Sequence, residues 1–320
     1  MKKNIIKDTG VEVTELSFGT SSLGSMPDTY GYEVPEQRAQ ETLKRFFQGP
    51  VNMLDTSRNY AMGESEKRIG MAIKENGGWP EKFVLSTKID RNMDTLVLDK
   101  KRTRESVEES LKALNVDSVD VLFLHDPEYV KDINDVTKKD GALDELFKIK
   151  EEGLAKAVGL AMGRIDIMFP ILRKWDFDVI INHNRYTLLN READEMYSYA
   201  HSKNISIFNA APYAGGVLAK GPSNFKKITY QDATEEKLAP AREIEKVCKK
   251  YNVEMGAAAL QFSMKDKRIT STICGVTSVQ SIEKNISWAE TNIPEEFWNE
   301  VLKLPYSTKD PESERTYTPG

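Results

Sequence analysis

Four side chains with complementary acid–base chemistry sit where short apolar runs give way to polar loops. They are Asp55 and Tyr60 in VNMLDTSRNYAMGESEKRIG, Lys88 at the end of FVLSTK, and His125 at the end of VDVLFLH. A free phenol titrates at about 10, a poor match for proton transfer at neutral pH. A lysine cation within roughly 4–6 Å favours the phenolate and is expected to lower that value by about 1–3 pH units. An aspartate beside the lysine keeps it charged and oriented. A histidine beside the phenol donates to a substrate oxygen or joins the proton relay. The set therefore suits moving a proton on or off an alcohol or carbonyl oxygen. It holds no nucleophilic serine or cysteine, and one histidine with one carboxylate is not a metal site. Each residue alone has an ordinary explanation as a helix cap, a packed side chain or a satisfied core histidine. Four of them at consecutive strand ends point to function.

Eight apolar runs must position these groups. They are Leu16–Thr20, Val51–Asp55, Phe83–Lys88, Val119–His125, Ala155–Ala161, Phe177–Asn182, Ile205–Ala210 and Ile269–Gly275. Most are continuous rather than alternating, as expected of strands buried on both faces of a parallel sheet. Helical spacing lies between them. Val107, Leu111 and Leu114 share one face of Arg102–Leu114, and Leu143–Lys150 and Glu235–Tyr251 behave alike. Eight strands alternating with helices, in 320 residues without a linker, read as α/β and as a single (β/α)8 TIM barrel. The barrel is expected over residues 1–305, followed by a polar extension over 306–320 that runs on the surface or is partly disordered. A two-domain Rossmann enzyme is the alternative, but G-x-G-x-x-G is nowhere in the chain. Active sites of this barrel lie at the carboxyl ends of the strands, which is where the four residues fall.

The net charge of -5 comes from mixed signs and gives no basic stripe for nucleic acid. No window carries the roughly 18 apolar residues of a membrane span. MKKNIIKDTG lacks the apolar core of a signal peptide. Cys248 and Cys274 have no metal or redox spacing and read as reduced thiols of a cytoplasmic protein. A monomer and a dimer are equally compatible with the surface charge.

LDTSRNYAMGESEKRIG, FVLSTK and VDVLFLHDP resemble the signature segments of the aldo-keto reductase superfamily, and the likeness runs from Leu16 to Trp298. The resemblance implies a barrel that binds a nicotinamide cofactor without a Rossmann fold. It implies a catalytic tetrad of Asp55, Tyr60, Lys88 and His125. Tyr60 would be the acid for carbonyl reduction and the base for alcohol oxidation, tuned by Lys88 and Asp55, with His125 orienting the substrate oxygen. The cofactor would meet Thr20, Asp55, Asn182, His183, Ala211, Tyr213, Gly215, Gly216, Gly275, Thr277, Ser278, Ser281 and Asn285. Met26 and Tyr30, on the loop after the first strand, would join Tyr60 and His125 around the substrate.

Three departures from the family pattern stand out. Ala61 replaces the glycine after the tyrosine, which is tolerable unless the backbone needs positive φ. Ala161 and Met162 replace the Ser-Asn that holds the nicotinamide amide, leaving Asn182 or His183 to do so. Neutral Thr277, Ser278 and Ser281 stand where NADP-preferring members place a cation. Losing that charge-assisted contact weakens NADP binding by about 1.5–3 kcal/mol, so NAD is expected, with NADP possible and Lys284 nearby. RYTLLNRE and GVTSVQS resemble the branch of L-fucose, D-threo-aldose and L-galactose dehydrogenases and pyridoxal 4-dehydrogenase. That branch implies oxidation of an anomeric hydroxyl to a lactone. The alternatives are an NADPH-dependent aldehyde or ketone reductase, and a reductase-like regulatory subunit of the potassium-channel kind.

Overall fold

The structure is a computed structural model that describes residues 1–315. Each apolar run forms a strand: β1 Leu16–Gly19, β2 Met53–Asp55, β3 Val84–Ile89, β4 Val119–His125, β5 Ala155–Met162, β6 Val179–His183, β7 Ser206–Ala210 and β8 Ser271–Gly275. All neighbours pair in parallel, and β8 closes onto β1 and β7 to complete the barrel.

Side chains along a strand alternate between faces. That parity separates two apolar clusters. Met53, Val84, Val121, Phe123, Ala157, Val179, Ile181, Phe208 and Ile273 fill the barrel interior. Leu54, Leu85, Leu122, Leu124, Val158, Leu160, Ile180 and Ile207 face the helices. Asp55 has the parity of Met53, Lys88 that of Val84, and His125 that of Phe123, so all three point inward at the carboxyl ends. Phe123 fits because its neighbour on β5 is Gly159, where a Cβ would lie 2.6 Å from the ring. The opposite end is closed by an antiparallel hairpin, Lys3–Ile5 with Glu12–Thr14. Its Ile6, Val11 and Val13 complete the inner cluster.

The helices follow the expected spacing. α1, Lys100–Leu114, begins at Asp99, whose side chain accepts from the Arg102 N–H at 2.8 Å. It buries Thr103, Val107, Ser110 and Leu114 at intervals of four, three and four, and Asn115 at φ +57° ends it. Among the described residues no helix is long and apolar enough to cross a membrane. Cys248 and Cys274 are free and buried.

Composition read the polar tail as a surface or partly disordered extension; residues 306–309, 313 and 314 are exposed, and the segment folds back over the carboxyl end of the barrel with Glu312 buried. Ser307 bridges to Asn190, and Asn190 Nδ2 donates to the Lys309 carbonyl at 2.8 Å. Asp310 and Glu312 reach Arg185, each at 2.6 Å. A buried arginine just past β6 needs such partners, because an unpaired charge there would carry a large desolvation penalty. Residues 316–320 lie outside the described residues.

Candidate active site

Asp55 and Ser86 are register partners on β2 and β3, which brings Lys88 beside the carboxylate. Lys88 Nζ lies 2.7 Å from Asp55 Oδ2, 2.5 Å from the Thr56 carbonyl and 3.1 Å from the Tyr60 hydroxyl. Ser86 Oγ donates to the other Asp55 oxygen at 2.9 Å. Lys88 is 1% exposed and Asp55 4%, so the pair is insulated from water.

Tyr60 is delivered by a strained turn. Ala61 stands at φ +51° and Met62 at φ +54°. The backbone does need positive φ where alanine replaces glycine, and a Cβ there costs roughly 1–2 kcal/mol. Gly24 makes room for the Ala61 methyl: a Cβ on Gly24 would sit 2.5 Å from it.

His125 stands with its ring edge-to-face against Tyr60, centroids 5.8 Å apart. Its Nδ1 is 2.7 Å from Asp90 Oδ1. Ser57 Oγ and the Asn59 N–H donate to Asp90 Oδ2 at 2.5 and 2.9 Å. Sequence reasoning missed Asp90, although its spacing from Lys88 was a usable signal, since two residues onward is again the inward face.

Burial raises the Tyr60 phenol well above its ordinary value, and Asp55, Tyr30, Asp126 and Asp90 add to the effect. This overturns the expectation that the lysine would lower it. Lys88 is already neutralised by Asp55, so the phenol feels an ion pair rather than a free cation.

A cavity of about 330 Å³ opens over these groups. Its wall includes Asp55, Tyr60, Lys88 and His125, and also Met26, Tyr30, His183, Ala211, Tyr213, Gly215, Gly216, Gly275 and Thr277. Five expected cofactor residues stand off it, each for a physical reason. Thr20 is buried, with its hydroxyl donating to the Asp55 carbonyl at 2.9 Å. Asn182 has the outward parity of Ile180, and its amide donates to the Met162 and Gly163 carbonyls, each at 2.9 Å. Ser278 and Ser281 form a capping box at the start of α2, Val279–Glu290. Asn285 accepts the Tyr213 hydroxyl and donates to the Ser281 carbonyl at 2.7 Å.

On four of the five remaining strands the inward ends bear almost no side chain, β6 with Ile181 and His183 being the exception. Gly19, Ala161, Ala210 and Gly275 line the cavity on β1, β5, β7 and β8, and nothing lies within 4 Å of where a Gly275 Cβ would stand. This trough beside the four polar groups admits a flat ring. It continues to Gly215 and Gly216, both at positive φ, where backbone can approach a phosphate closely. A nicotinamide dinucleotide fits this combination.

Of the outer wall only Tyr30, with Met26 beside the cavity, was anticipated from the sequence. Tyr30 and Tyr32 stack at 6.0 Å, and Tyr230 meets Tyr30 edge-on at 5.8 Å. Arg315 from the tail covers the Tyr230 ring at 5.2 Å. Glu312 holds this wall in place. It meets Arg185 at 2.6 Å, Arg315 at 2.7 Å and His183 at 3.3 Å.

Comparison with known proteins gives a consistent picture. The model of the Aldo/keto reductase family matches residues 15–304. An L-galactose dehydrogenase from Arabidopsis thaliana is 30% identical over 292 residues, covering 88% of this chain and 85% of that protein. A D-threo-aldose 1-dehydrogenase from Pseudomonas sp is 26% identical, covering 92% of this chain and 94% of that protein. A solved aldo-keto reductase from Bacillus halodurans, in its holo form, shares the fold with a TM-score of 0.79. It is 22% identical, and the match covers 99% of this chain and all of that one.

Proposed function

This chain belongs to the aldo/keto reductase family, and from that premise we propose that it oxidises the anomeric hydroxyl of an aldose to the lactone with NAD. It is an NAD(P)-dependent oxidoreductase by family, and the sugar and the choice of NAD are our reading. The observation that carries it is the Tyr60 hydroxyl 3.1 Å from the Lys88 ammonium, on the wall of a cavity floored by small residues.

In this reading Tyr60 takes the hydroxyl proton of the sugar, and His125 holds the oxygen. Nicotinamide bound in the trough would accept the hydride from the anomeric carbon. Lys88 and Asp55 hold the phenol in place, and Thr56 fixes the lysine. The tyrosines of the outer wall offer flat faces to a sugar ring and keep water out. The positive charge of an oxidised nicotinamide is the counter-charge this acidic cluster lacks, and it favours the Tyr60 phenolate. Alkaline solution does the same, so oxidation is expected to accelerate as pH rises. NAD is supported by the neutral Thr277, Ser278 and Ser281. It is supported too by Lys284, whose ammonium is engaged by Glu254 at 2.6 Å.

One observation favours a second reading. With its pKa raised, Tyr60 rests as a proton donor, as aldehyde reduction requires. Initial rates at alkaline pH separate the two, using L-fucose, D-arabinose, L-galactose, L-xylose and pyridoxal, each with NAD and NADP. Rapid NAD reduction by a sugar is expected. Silence across the panel, with NADPH consumed on simple aldehydes, would replace the dehydrogenase by the reductase. Equal efficiency with NAD and NADP would overturn the cofactor choice.

A further inference from the structure

We infer that Asp90 is a positioning residue that fixes which nitrogen of His125 carries hydrogen, and so decides when the other nitrogen donates to a substrate oxygen. The inference rests on the reading of His125 as the group that holds that oxygen.

Asp90 follows β3 directly and is 1% exposed. Its Oδ2 is filled by the Ser57 hydroxyl and the Asn59 N–H, while Oδ1 is left to His125 Nδ1 at 2.7 Å. Burial works against its charge, but His125 and these donors more than compensate, and the carboxyl titrates below its ordinary range. An ionised carboxylate only accepts hydrogen bonds, so Nδ1 must carry the hydrogen. Ser57 Oγ is also 3.1 Å from Nδ1, but its own hydrogen is committed to Asp90.

A neutral His125 is therefore the Nδ1–H tautomer, with a bare Nε2. Nε2 donates only when the ring is an imidazolium. The imidazolium donates to the reacting oxygen while Tyr60 exchanges that oxygen's proton, and since both directions share one transition state the same form serves both. The neutral ring offers only a lone pair, which competes with Tyr60 for the single hydrogen of an alcohol hydroxyl. A histidine whose Nδ1 faced water would be free to place its neutral-state hydrogen on Nε2 and donate in both states.

The charges around His125 set where the exchange occurs. Burial is the largest influence and disfavours the cation. Asp126, 3.6 Å from Nε2, and Asp90 favour it, and Lys88 opposes them. The Tyr60 ring meets His125 at its edge and is uncharged while the phenol holds its proton. The balance raises the imidazole above its ordinary 6.5. The donor form is present below that raised value and is lost as pH rises through it. Anchoring the loop at Ser57 and Asn59 uses only Oδ2, so a purely structural Asp90 would have no call on the second oxygen.

The chain has three histidines, so nitrogen-15 NMR of the imidazoles resolves each one, assigned by single His→Gln variants. In the wild type, Nδ1 of His125 is expected to stay protonated throughout, while Nε2 loses its proton with a midpoint above 6.5. In Asp90→Asn the midpoint is expected to fall by about 1–3 pH units, and Asp90→Glu to restore part of it. A neutral wild-type His125 with its hydrogen on Nε2 would overturn the inference without any variant. An unchanged midpoint in a folded Asp90→Asn would do the same. In kinetics, reduction is expected to fade as pH rises through the His125 midpoint, and Asp90→Asn to carry that edge down with the midpoint. A reduction edge that stays in place while the NMR midpoint moves would overturn the donor role. NMR needs no turnover, so failure of every sugar with the tautomer as described would count against the aldose reading alone.

Discussion

Two buried ionic clusters border the cavity, and they are built in opposite ways. On the floor, Asp55 and Lys88 project from adjacent strands whose backbone register places them side by side. On the outer wall, Arg185 gathers Asp310 and Glu312 from 125 and 127 positions further along the chain. The floor inherits its geometry from the barrel and would keep it if the side chains changed. The wall has no strand beneath it and is held by ion pairs, one bridge to Asn190 and a hydrogen bond from Thr229 to the Pro311 carbonyl. Chemistry that tolerates little displacement suits the floor, and selection among substrates suits the wall.

That contrast can be broken most directly at Tyr60. Tyr60→Phe is expected to lower turnover by about 10²–10⁴-fold while leaving the thermal midpoint in place. Turnover within tenfold of the wild type would remove the floor from the chemistry. Lys88→Met tests the same cluster through stability, because it strands the Asp55 carboxylate inside the barrel. Urea titration is expected to show a loss of about 3–5 kcal/mol. A loss below about 1 kcal/mol would mean that water reaches the pair as it reaches a surface ion pair.

The wall is expected to answer differently. Glu312→Gln loosens the tail, raising KM by about tenfold, equivalent to about 1.4 kcal/mol, with little change in kcat. Trypsin should then cut after Lys309 far faster than in the wild type. The pH dependence has a definite sign. Burial opposes the Glu312 charge, but His183, Arg185 and Arg315 hold its carboxyl well below the usual range. Its contribution is therefore complete above about 4.3, the ordinary glutamate value, and fades as acid protonates the folded form. A kcat effect larger than the KM effect would erase the distinction between floor and wall. The smallest change sharpens the floor: Ala61→Gly relieves a left-handed alanine and is expected to stabilise by about 1 kcal/mol, read from urea midpoints.

How much the sequence discloses follows the same division. The strands, their ends and the inward parity of Asp55, Lys88 and His125 are local, so spacing reveals them. Parity would also have set Asn182 against His183 and found Asp90, but it was applied to neither. Ser278 and Ser281 lie in a segment that resembles one that binds adenosine, and their capping box was not anticipated because a helix cap has the same composition. The raised phenol of Tyr60 depends on burial and on three carboxylates, which no pairwise rule about lysine anticipates. The tail's polarity matches its mostly exposed course, but composition says nothing of where it docks, because only the buried arginine two residues past β6 marks that place.

The hairpin and the tail also differ in when a growing chain can use them. Synthesis runs from the amino end, so the hairpin that closes one end of the barrel emerges before any barrel strand. The tetrad is in hand once His125 has been made, and β8 closes the ring with Gly275. The bracing of the wall waits for Glu312. A nascent chain, or one cut after β8, would thus possess its reactive groups and the wall's tyrosines before it possesses the ion pairs that brace that wall.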